Sequence, residues 1–86
     1  MMDVEFDSFK NEANIARHGI ALSDFKEFDA EPSVFEDNRF DYGEIRYIAV
    51  GRIGGLGYSL VFTMRGKTMR LISFRRAHEK EMRRYE

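Results

Sequence analysis

Residues 44–75, EIRYIAVGRIGGLGYSLVFTMRGKTMRLISFR, decide the architecture. Three runs rich in β-branched and aromatic residues, about Glu44 to Arg52, Tyr58 to Arg65 and Thr68 to Arg75, are separated by Gly54-Gly55-Leu56-Gly57 and by Gly66-Lys67. That pattern predicts an antiparallel meander. With Gly66-Lys67 as a two-residue hairpin loop, the expected register sets Arg65 opposite Thr68, Met64 opposite Met69, Thr63 opposite Arg70, Phe62 opposite Leu71 and Leu60 opposite Ser73. Leu60, Phe62, Met64, Met69 and Leu71 then face the core. Thr63, Arg65, Thr68 and Arg70 line the other side, and Arg46 joins them if the first strand keeps the same phase. A slip of one residue exchanges the two faces.

Working outward, Val4-Glu5-Phe6 alternates like a short strand and leads to Asp7, a good helix N-cap. A helix is expected from there to His18, with Phe9, Ala13 and Ala16 on one face and Gly19 as its stop. Ser23 is placed to cap a second, shorter helix carrying Phe25 and Phe28, which must end before Pro32. Val34 to Asp37 reads as a strand or extended edge, and Asn38 to Gly43 has loop composition. From about Arg76 to Tyr85 the chain is helical in character, with Ala77, Glu81 and Tyr85 at successive steps of four. The expected order is β-α-α-β-β-β-β-α. It makes an α+β fold, an antiparallel three-strand meander plus one or two short N-terminal strands packed on helices, in a single domain over residues 1–86.

Eighty-six residues suffice for one core and not for separate catalytic and binding domains. Hydrophobic residues at 43% and charged residues at 34% fit a globular chain, and eight Phe and four Tyr supply large ring surfaces to bury. The absence of Cys removes disulfides and thiolate chemistry and suits a reducing compartment. No apolar run approaches the roughly 18 residues of a membrane span, and the start Met1-Met2-Asp3-Val4-Glu5 lacks the layout of a secretory leader, so a cytoplasmic protein with no membrane contact is expected. The net charge of −1 conceals a strong asymmetry: residues 1–44 hold twelve acids and four bases, and residues 65–86 hold eight bases and three acids. A basic side steers phosphate-bearing ligands even when the total charge is near zero.

Metal chemistry finds no motif here. His18 and His78, the two histidines, have no paired-ligand spacing, so neither a metal nor another cofactor is expected. Gly51, Gly54, Gly55 and Gly57 fall between strands, whereas a phosphate loop must open a helix. The run Arg70-Leu71-Ile72-Ser73-Phe74-Arg75-Arg76-Ala77 instead delivers arginines from a strand end beside the Glu81 and Tyr85 face. Guanidinium groups grip phosphate by bidentate forks and stabilise the extra charge of a cleavage transition state. Metal-free RNA cleavage also needs a base for the ribose 2′-OH and an acid for the departing oxygen. Glu81, His18 and Tyr85 are the candidates, each with a structural alternative: a salt-bridge partner within its helix, a helix C-terminal charge and a packing residue. Arg70, Arg76, Lys10 and Lys67 are the further cations assigned to RNA phosphate.

Phe6-Asp7-Ser8-Phe9-Lys10 followed by Asn14 and Arg17-His18-Gly19-Ile20 resembles the D-x-x-K-x-x-x-N-x-x-[KR]-H-G-[VI] opening of the BrnT toxins. Tyr42 to Tyr47 with Val50-Gly51-Arg52, then Phe62-Thr63-Met64-Arg65, then Arg70 to Ala77 with Glu81 and Tyr85-Glu86, resemble its later blocks in order. Phe74 stands where the family often has Ala, and Ala21-Leu22 where Ser-Phe is usual. The resemblance implies a RelE-like ribonuclease fold and a type II toxin–antitoxin role. It also implies a BrnA-like ribbon-helix-helix antitoxin as partner, with DNA reached only through that antitoxin. By the same analogy of fold, Arg46, Arg65, Arg70, Arg75 and Tyr85 occupy the kinds of position where RelE-like toxins keep their chemistry. The expected function is a metal-independent endoribonuclease that inhibits translation. Its rivals are an RNA-binding domain that does not cut and a domain whose basic face only receives an acidic protein.

Overall fold

A computed structural model describes residues 3–86, so Met1 and Met2, where the leader reading began, lie outside the described residues. The elements are β1 (Asp3–Phe6), α1 (Ser8–His18), a 3-10 turn (Leu22–Asp24), β2 (Ser33–Glu36), β3 (Tyr47–Ile53), β4 (Leu56–Arg65), β5 (Thr68–Arg76) and α2 (Glu79–Tyr85). The five strands form one sheet in the order β1-β5-β4-β3-β2. The meander is antiparallel as expected, and β2 adds to it antiparallel, but β1 lies parallel to β5. The sheet is therefore mixed rather than wholly antiparallel. α1 lies between β1 and the rest of the chain, so β1 returns to the sheet at its far edge instead of pairing with a sequence neighbour.

Both hairpins close on two residues. Ile53 pairs with Leu56, so the loop is two residues shorter than the expected four-residue glycine loop, because Gly54 and Gly55 both take positive φ (59° and 81°). That is the backbone of a turn whose twist matches the flanking strands. Around Gly66-Lys67 the register runs as expected from Arg65↔Thr68 to Phe62↔Leu71. It then shifts at Val61/Phe62, so that Val61 faces Ser73 and Leu60 faces Phe74, not Ser73. Ile72 is the surplus residue of a β-bulge. Beyond it Phe74 turns into the core, and Ser73 and Arg75 turn to the opposite face.

On the core face Leu22 and Phe25 insert against Ala49, Leu60, Phe62, Leu71 and Phe74, with Leu22, Leu60 and Leu71 fully buried. Phe25 meets Phe28 and Phe74 edge-on at 5.2 and 5.5 Å, and Tyr58 stacks on Phe74 at 5.1 Å. The short helix expected after Ser23 is only the 3-10 turn, closed by Asp24 accepting from the Ala21 N–H at 3.0 Å. One such turn already brings Leu22 and Phe25 onto one side. Glu27, Asp29 and Glu31 would also sit at the negative end of a longer helix, where they are unfavourable.

α1 contributes little apolar surface to this core. Asp7 caps it, accepting from the Phe9 and Lys10 N–H groups at 2.7 and 3.3 Å, and Gly19 ends it in the left-handed region. Its one buried residue is Asn14, while Phe9, Ala13 and Ala16, the face expected to pack, point to solvent. Asn14 Oδ1 accepts from the Phe74 N–H at 2.9 Å, and Nδ2 donates to the Phe74 and Ile20 carbonyls at 2.7 and 2.8 Å. The amide takes over the edge of β5 where β1 ends at Phe6↔Leu71.

α2 covers one end of the opposite face. It begins at Glu79 rather than near Arg76, because Arg76 still pairs with Tyr58 and the Ala77 N–H bonds to Gly57 O at 2.9 Å. Met82, 1% exposed, packs with Val50 and Ala77. A Cβ on Gly57 would collide with Met82 Cγ and stand 3.2 Å from the Ala77 carbonyl oxygen. Gly57→Ala is expected to lift α2 and cost about 1–3 kcal/mol; a urea melt with an unchanged midpoint would show that α2 docks otherwise.

Candidate active cleft

Between α1, the β2–β3 segment and α2 the uncovered face of the sheet forms a cleft of about 580 Å³. Ile48, Val50, Ser59, Val61, Ile72 and Ser73 make its floor. The bulge at Ile72 is what turns Arg75 into it, alongside His18, Glu81, Arg46 and Tyr85. Five of the six residues expected to carry the chemistry therefore line one cavity. Arg65, the sixth, is exposed at the far end of β4 and does not line it.

The expected phosphate ligands divide. Lys10 reaches an adjoining hollow of about 260 Å³, shared with Arg17, Arg46 and Ser73. Arg70 is drawn toward Glu5 and Asp7, at 3.6 and 3.9 Å, and Lys67 occupies the β4–β5 hairpin turn. Arg76 lies on the face away from the cleft, 5.3 Å from the Tyr58 ring, with Nε donating to Gly57 O at 3.2 Å. The same bulge explains it: residues 75 and 76 exchange the faces that unbroken alternation would give them.

Arg75 and Glu81 form a bidentate pair, Nη1 to Oε1 at 3.0 Å and Nη2 to Oε2 at 2.8 Å, and Nη1 also donates to Arg76 O at 3.0 Å. Nε–H and the second Nη2 hydrogen, the side-on fork of the guanidinium, take no partner among the described residues. The bond to Arg75 holds the Glu81 carboxyl below the ordinary range, against a smaller desolvation effect. Burial, then the charges of Arg17 and Arg75, lower the His18 pKa from its usual value. The two shifts favour a Glu81 carboxylate held on Arg75 and an unprotonated His18 imidazole.

Sequence reasoning missed the opposite wall. Asp37, whose side chain is 1% exposed, accepts from Arg39 Nε and Nη2 at 2.8 Å each and from Tyr42 OH at 3.1 Å. Chiefly through the Arg39 side-chain bond, its pKa falls to about 2. Tyr42 in turn lies 4.0 Å below the Arg46 guanidinium, whose Nε donates to Glu44 at 3.1 Å. The Asp37 N–H bonds to Arg46 O at 2.7 Å, and Thr63 Oγ1 to Ile45 O at 2.6 Å, so the irregular segment is fixed at both ends. Asp37 Oδ1 also accepts from the Arg39 N–H at 3.2 Å, an Asx turn, where the sequence reading ends a strand or extended edge at Asp37 and gives Arg39 only loop composition. Arg17 was also missed; its place one turn after Asn14 sets it on the cleft side.

The fold and cleft define a class: a small α+β protein whose mixed sheet exposes an arginine-lined cavity with the His18 imidazole in its wall. A family model described as ribonuclease toxin, BrnT, of type II toxin–antitoxin system matches residues 6–81, and the chain belongs to that family. No curated protein matches the sequence. Membership makes the chain a ribonuclease toxin and implies an RNA target and an antitoxin partner. Among the described residues no helix is long and apolar enough to cross a membrane.

Proposed function

We propose that this toxin cuts RNA by a metal-independent transesterification in the cleft. The observation that carries this reading is the convergence of His18, Arg75, Glu81 and Arg46 on one cavity, where the side-on fork of Arg75 and the Nη groups of Arg46 take no hydrogen bond among the described residues. The scissile phosphate sits between the side-on fork of Arg75 and the Nη groups of Arg46, where its developing charge is met by fixed donors. Neutral His18 takes the proton of the ribose 2′-OH, the 2′ oxygen attacks the adjacent phosphorus, and the 5′ oxygen leaves with a proton from Tyr85. The products are a 2′,3′-cyclic phosphate and a 5′-hydroxyl end. Glu81, bound to Arg75, orients that arginine and is a poorer base than His18.

The RelE-like relationship, a BrnA-like ribbon-helix-helix antitoxin that supplies the DNA contacts, and action in the cytoplasm belong to the same proposal. The family match to a type II toxin supports it. Purified toxin, free of antitoxin, should fragment RNA in EDTA and leave cyclic phosphate ends; RNA that stays intact rejects the enzyme reading, and fragmentation only after added Mg²⁺ rejects metal independence. Because the base must be unprotonated, cleavage should rise with pH through the lowered His18 pKa and level off above it. His18→Ala should remove that acid limb, and a limb unchanged in this variant assigns the base to another group.

A further inference from the structure

The apolar stripe of α1 has no partner among the described residues. Phe9 is 82% exposed, and Ala13 and Ala16, four and seven residues on, are exposed beside it. Helix spacing makes these three one continuous strip. An isolated surface apolar residue is ordinary, but a largely uncovered phenylalanine heading a strip of small residues is a ready anchor for a second helix, whose backbone can approach the alanines closely. Lys10 and Arg17 flank the strip on the cleft side, and neither makes an ion pair among the described residues. Apolar surface, unpaired cations and catalytic cleft thus lie side by side in that order.

We propose that this face of α1 receives the antitoxin, through an amphipathic segment that lays apolar side chains on Phe9, Ala13 and Ala16 and directs carboxylates at Lys10 and Arg17. The proposal rests on the toxin reading, since the family supplies the protein partner. A segment so placed neutralises the cations at the cleft wall and bars RNA from the phosphate site without entering it. Phe9 itself has no part in the chemistry.

Two variants test this. Phe9→Asp puts an acid in the first turn of α1, where the helix dipole favours it, and Ala16→Glu places a good helix former on an exposed position. Each is compared with wild type for RNA cleavage and, by calorimetry, for binding to the purified cognate antitoxin. Cleavage should be unchanged, and the dissociation constant should rise about 30-fold or more in both. Wild-type affinity in both variants overturns the proposal. So does sedimentation showing wild-type toxin alone as a dimer that both variants convert to monomers while antitoxin still binds, because the strip then belongs to a second copy. If wild-type toxin leaves RNA intact, the ribonuclease reading fails by itself and the binding comparison still decides this one.

Discussion

Arg75→Ala is expected to lower the single-turnover rate of RNA cleavage roughly 10²- to 10³-fold while leaving the fold intact. Arg75 is positioned by both a bidentate carboxylate and a backbone carbonyl, so its fork without a partner among the described residues is held at a fixed angle. Arg75→Lys retains the charge but not the planar fork and should recover little of the loss. Glu81→Gln separates orientation from proton transfer. If Glu81 only holds Arg75, the rate falls by a smaller factor and the pH profile keeps its shape; loss of the acid limb in Glu81→Gln would transfer the role of base from His18 to Glu81. An Arg75→Ala enzyme within a factor of a few of wild type would place the scissile phosphate elsewhere.

Asn14→Ala should be the most destabilising of the single changes considered, by about 3 kcal/mol or more. It leaves the Phe74 N–H and the Phe74 and Ile20 carbonyls without partners, and buried groups of this kind cost about 1–3 kcal/mol each. For a domain of this size that corresponds to a fall in melting temperature of about 10 °C or more. Asn14→Asp retains an acceptor for the Phe74 N–H but aims a carboxylate at two carbonyl oxygens, and should fare no better. Because His18 and Arg17 reach the cleft, and Lys10 the adjoining hollow, only through the docking of α1, activity should fail with stability. A melting curve for Asn14→Ala that overlays wild type would mean that α1 is held by its apolar contacts after all.

The meander was legible because its signals are local: alternation within each strand and the two-residue turn at Gly66-Lys67. From that turn the register was right as far as Phe62↔Leu71 and wrong beyond it. Nothing in Leu71-Ile72-Ser73-Phe74 announces a bulge; Ile72 is as good a strand residue as its neighbours, and only the demand for Phe74 in the core reveals the extra residue. That local irregularity determined which arginines could reach the cleft. It brought in Arg75 and turned Arg76 away. The parallel pairing of β1 was hidden for a related reason, since a four-residue strand carries no sign of which distant edge it will join. Asn14 misled the reading of α1, because a pattern of hydrophobicity gives no weight to an amide whose two ends match one peptide unit of a strand edge. Arg46, His18, Glu81 and Tyr85 were identified from chemical type and family resemblance, and the structure gathers them with Arg75. Asp37, Arg39 and Tyr42 were lost in a segment whose shape comes from side-chain bonds rather than from regular backbone.

The parallel strand at the sheet edge has a bearing on when the cleft becomes complete. Residues 3–6 and Asn14 dock on the strand that runs from Thr68 to Arg76, and 60 positions separate Asn14 from Phe74. Contacts so far apart in the chain form late in folding, after the local hairpins have closed. The wall that carries His18 is thus among the last parts of the molecule to take its place.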